Sequence, residues 1–106
     1  MYSGQVVRSL QEIVICEMPR VRGRTLEQKR ILWENALSYF ARNGKKFPDE
    51  IRAMLDCDFG ENLGYNERFC SETGIGYSEI DRHWDDIRAA IALRYIDETS
   101  ERKEAA

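Results

Sequence analysis

One histidine, two prolines and three scattered cysteines leave this 106-residue chain short of the usual materials for catalysis or metal binding. His83 has no neighbour in sequence that would make it half of a nucleophilic pair, which needs a thiol or hydroxyl within reach and a third group to orient the base. Cys16, Cys57 and Cys70 are odd in number and far apart. That pattern lacks the close ligand pairs of a zinc site and fits free thiols in a reducing cytoplasm better than a disulfide framework. No apolar run comes near the roughly 20 residues that span a bilayer. Gln5, Arg8, Gln11 and Glu12 interrupt what would be the apolar part of a secretory signal. The expectation is a cytoplasmic, non-enzymatic protein with no cofactor, no metal and no membrane contact.

What is present is a mixture fit for a wet-surfaced globule: 42% hydrophobic and 33% charged residues. The length suits a single domain, predicted over residues 1–98, with a frayed polar tail at 99–106. Net charge is −3, unevenly spread. Residues 1–47 hold nine Lys/Arg against four Asp/Glu, and residues 48–106 hold seven against fifteen. Such a split marks a polyanion-facing side, two mutually attracting surfaces, or ordinary solvated faces.

The periodicity predicts an all-α fold, a small bundle of about five helices. Val7, Leu10, Val14 and Met18 recur at three- and four-residue steps, predicting a first helix over 3–18 that Ser3 caps and Pro19 stops. A strand over Glu12–Met18, where β-branched residues cluster, is the rival reading. Residues 19–24 read as a basic loop. Thr25 with Gln28 three positions on forms a capping box. It opens a second helix from Leu26 to about Arg42, with Leu26, Trp33, Ala36, Leu37, Phe40 and Ala41 as core face and Asn43-Gly44 as stop. Pro48 begins a short helix to Leu55, burying Ile51, Met54 and Leu55, and 56–64 is a loop. Within it, Asp56 to Glu67 superficially matches a calcium loop, but Glu61 stands where the turn needs glycine, so calcium is rejected. A fourth helix spans about Tyr65–Thr73. A fifth runs from Tyr77 or Ser78 to about Asp97, with Ile80, Trp84, Ile87, Ile91 and Tyr95 as one stripe.

Residues 66–84 are the most informative. Two helical stretches flank Gly74, a residue free to adopt positive φ. Cys70 is small enough to let the stretches approach, Phe69, Ile75 and Ile80 can anchor them, and Tyr77, Ser78, Asp81 and Arg82 are placed to project outward. The segment Thr73-Gly74-Ile75-Gly76-Tyr77-Ser78-Glu79-Ile80 resembles the turn and recognition-helix start of small helix-turn-helix regulators of the phage and bacterial repressor type. The resemblance covers about a fifth of the chain. It implies a homodimeric regulator of transcription binding duplex DNA, with Tyr77, Ser78 and Arg82 touching base edges or phosphates. It further implies a phosphate on the N–H groups that open the second helix. Arg20, Arg22 and Arg24 would serve as a flexible basic arm, and Lys45 and Lys46 would add phosphate contacts. Val7, Leu10 and Val14 would supply the dimer seam.

An alternative comes from the acidity of that second helix. Carboxylates near phosphates are unfavourable, and Glu79, Asp81, Asp85 and Asp86 all lie there. They suit instead a non-enzymatic inhibitor or adaptor that docks its acidic C-terminal half on a basic protein partner.

Overall fold

The computed structural model describes residues 4–42, 52 and 66–97. All regular structure among them is helical, which bears out the all-α class. Four stretches carry the fold: α1 (Gly4–Val21), α2 (Leu26–Arg42), α3 (Glu67–Thr73) and α4 (Trp84–Ala92). A 3-10 stretch, Tyr77–His83, leads into α4, and a π-helical turn, Leu93–Asp97, follows it. The predicted helix over 48–55 and the loop over 56–64 lie outside the described residues apart from Arg52, which is helical and exposed. Ser3, Asn43-Gly44, Lys45, Lys46, Cys57 and the 99–106 tail also lie outside them.

At the centre stands α4. Ile87, Ala89, Ala90, Ile91 and Ala92 are buried, and four of them are consecutive, so the helix is enclosed on every side and not along one stripe. Alanine makes this possible: it has the highest helix propensity and lets neighbouring backbones come close. Both α1 and α2 pack on α4. From α1, Leu10, Val14, Met18 and Val21 are buried, in line with the predicted stripe. The strand alternative for 12–18 is overturned, since the whole segment is α-helical.

Pro19 does not stop α1. The helix continues to Val21, and the Arg22 N–H still reaches the Met18 carbonyl at 3.1 Å. A proline forfeits one backbone bond and crowds the preceding turn. Here the turn beyond it buries Val21 completely, and that burial contributes about 1.5–3 kcal/mol in the opposite direction.

The bounds of α2 match the expectation, and the capping box is formed. The Thr25 N–H donates to Gln28 Oε1 at 2.9 Å, and the Gln28 N–H to Thr25 Oγ1 at 3.2 Å. Its core face is narrower than the sequence suggests. Ala36 and Phe40 are buried and Trp33 and Leu37 half-buried, but Leu26 is 51% exposed and Ala41 is exposed. Ala41 stands one residue, about 100°, around the helix from Phe40. Leu26 lies in the first turn, where α2 meets its neighbour through charged pairs. Phe40 closes the far end edge-to-face with Tyr39 and Tyr95, at centroid distances of 5.6 and 6.5 Å.

Candidate functional site

The corner around Gly74 begins at Asn66, whose side chain accepts the Phe69 N–H at 3.0 Å and caps α3. At the other end Gly74 takes φ 74°, ψ 11°, and its N–H returns to the Cys70 carbonyl at 2.9 Å. This is the left-handed stop that only glycine adopts without strain. Thr73 reinforces it from inside. Its buried hydroxyl donates to the Phe69 carbonyl at 2.7 Å and accepts the Ile75 N–H at 3.3 Å. Phe69, Ile75 and Ile80 are all buried, so the anchors predicted for this corner hold both of its limbs.

Beyond the turn the structure departs from an α-helix. Tyr77–His83 is a 3-10 stretch with the Glu79 N–H on the Gly76 carbonyl at 3.0 Å, and His83, at φ −103°, ψ 16°, separates it from α4. Its N-cap, Gly76, makes no side-chain capping bond. The Glu79 carboxylate folds over that end instead, 3.4 Å from where a Cβ on Gly76 would sit. A phosphate there would meet a like charge, which disfavours the anion-binding role implied for those N–H groups.

Tyr77, Ser78 and Arg82 are exposed, with Tyr77 at 51%. The phenol of Tyr77 leans toward α3. Desolvation, then the neighbouring Cys70 and Glu67, hold its hydroxyl above the usual phenol range. Cys70 is half-buried against the core, and burial pushes its thiol up as well. Glu79 and Asp81 are exposed on the same stretch.

Asp85 and Asp86 are placed differently. Asp86 accepts from Lys29 Nζ on one oxygen and faces His83 Nδ1 at 2.8 Å on the other, and Asp85 lies 3.5 Å from Arg30 Nε. These pairs tie α4 to α2. Burial disfavours the charged form of Asp86, but the hydrogen bonds and charges of Lys29 and His83 outweigh it and hold the carboxyl below the usual range. His83 is thus a half-exposed side chain beside a carboxylate, and the Lys29–Asp86–His83 group escapes sequence reading because Lys29 is far away in the chain.

The basic residues of 19–24 are not a flexible arm. Arg20 pairs with Glu17 at 2.9 Å, Arg24 Nε donates to the Arg20 carbonyl at 3.2 Å, and Arg22 Nη2 donates to the Thr73 carbonyl. Each guanidinium is held by the protein, and Arg22 reaches the Gly74 corner itself. Leu10 and Val14 are buried in the molecule's own core with Val7 packed against them, so the expected dimer seam is already covered. Among the described residues no group of three His, Cys, Asp or Glu side chains could hold a metal ion, and no helix is long and apolar enough to cross a membrane. No family model, no curated protein and no solved structure matches the chain.

Proposed function

We propose that this protein is a small DNA-binding regulator whose helix-turn-helix-like corner, residues 66–84, meets duplex DNA. The observation that carries this reading is a turn fixed at Gly74 and anchored by Phe69, Ile75 and Ile80, with Tyr77, Ser78 and Arg82 exposed on the stretch that follows it. The internal pairing of Asp85 and Asp86 with Arg30 and Lys29 supports it by removing much of the acidity that would repel phosphates. Arg82 is the phosphate or base-edge contact, Tyr77 and Ser78 are adaptable polar contacts, and Lys45 and Lys46 would add phosphate contacts. A homodimer would set two such corners about one DNA turn, roughly 34 Å, apart, using a seam other than α1. The regulator acts in the cytoplasm, as part of a bundle of about five helices.

Affinity for mixed-sequence duplex DNA, measured from low to high salt, tests the proposal. Wild type should bind at low salt and lose affinity steeply as salt rises. Arg82→Ala should lower the slope of log K against log salt by about one. Absence of binding at the lowest salt would remove the regulator reading.

The exposed Glu79 and Asp81 favour one other function, an adaptor or inhibitor seated on a basic protein surface. Reversing both charges to lysine would then abolish recovery of a stoichiometric basic partner from the native cell. Asp85 and Asp86 contribute less to that face, being engaged within the fold.

A further inference from the structure

We infer that Arg22 is a positioning residue for the corner: it latches the α1–α2 loop onto the C-terminal end of α3 and so sets where Tyr77, Ser78 and Arg82 stand. The effect on DNA binding rests on the proposed function, and the latch itself does not.

With seven residues, α3 is far shorter than a helix that is stable alone, and its direction must be imposed from outside. Its last carbonyls lack intrahelical partners and carry the negative end of the helix dipole. Arg22 meets both needs, donating from 51 residues away to the carbonyl of Thr73, the last residue of α3. The guanidinium lies beside the turn itself, with Arg22 Nη2 3.4 Å from where a Cβ on Gly74 would sit. The loop behind the guanidinium is itself fixed. The Arg22 N–H bonds the Met18 carbonyl at 3.1 Å, the Arg24 N–H bonds the Val21 carbonyl at 3.0 Å, and Val21 is fully buried. On the other side Ile75 is buried one residue past Gly74. A rigid loop therefore holds a rigid turn through one charge-assisted bond, at the point where the chain enters the exposed 3-10 stretch.

The competing role for Arg22 is a direct phosphate contact, and the two roles give different readouts. In the full chain, Arg22→Ala should raise amide hydrogen exchange at Gly74 and Ile75 about tenfold, the equivalent of one lost charged hydrogen bond, with α2 amides unchanged. Against duplex DNA the same variant should lose affinity by a similar factor at every salt concentration and keep the wild-type salt slope. Arg82→Ala should reduce that slope. Unchanged exchange at Gly74 and Ile75 overturns the latch. A reduced salt slope for Arg22→Ala overturns it too, making Arg22 a phosphate contact. Should wild type bind no DNA, the proposed function fails, while exchange at Gly74 and Ile75 still decides for or against the latch.

Discussion

Gly74 matters through its backbone. It takes the positive φ that ends α3, beside the Arg22 guanidinium that reaches the last carbonyl of that helix. An alanine there would hold a left-handed conformation at about 1–2 kcal/mol. Gly74→Ala should therefore lower the unfolding free energy by about that amount, read as a lowered denaturant midpoint at unchanged m, with helical content in the far ultraviolet unchanged. Gly23 is a contrasting position: a Cβ built there meets nothing within 4 Å, so Gly23→Ala should be almost silent in the same measurement. The difference between these two glycines is one of environment, which composition does not distinguish.

Among the elements, α4 leaves the least room for change. Ala89, Ala90, Ile91 and Ala92 are buried in succession, so no face of this helix points to solvent over that turn. Enlarging Ala90 to leucine forces neighbouring side chains off their rotamers, and overpacking of this kind typically costs about 1–3 kcal/mol. Thermal unfolding of Ala90→Leu should show a lowered midpoint, whereas Ala41→Leu on the exposed side of α2 should leave it nearly unmoved. The sequence made some of these elements legible. Thr25 and Gln28 announce the start of α2 because a capping box is a local device. Gly74 announces the end of α3 for the same reason. Pro19 misleads because its local penalty competes with the burial of Val21, a tertiary quantity. The 3-10 form of Tyr77–His83 is also illegible locally: the apolar spacing from Ile80 onward is helical whether the backbone is wound tightly or loosely.

For the molecule as a whole, the decisive contacts join residues far apart in the chain. Lys29 meets Asp86, Arg30 meets Asp85, and Arg22 meets Thr73. Residue types alone suggest charges of opposite sign in the two halves, and no more. Which carboxylates end up neutralised and which stay exposed depends on how α2 lies along α4. That is why Asp85 and Asp86 read as a partner surface in the sequence and serve as internal ties in the fold. The depressed Asp86 carboxyl gives this tie a pH signature. Its contribution is complete above the unfolded carboxylate value of about 3.9 and is lost as pH falls through the lower folded value. Asp86→Asn should thus destabilise by about 1–2 kcal/mol near neutrality, reduced from the buried case by partial exposure. The urea midpoints of variant and wild type should begin to converge only as pH falls below about 4 and meet below the folded value.

The central place of α4 also has a consequence for synthesis. Because α1 and α2 share a partner that is made after both of them, they leave the ribosome with Leu10, Val14 and Phe40 still waiting for it. At about 5–20 residues per second, the stretch from Arg42 to Ala92 alone takes about 2.5–10 seconds. A nascent chain halted before Trp84 would therefore remain a client for chaperones, and its release past Ala92 is the event that lets the bundle close.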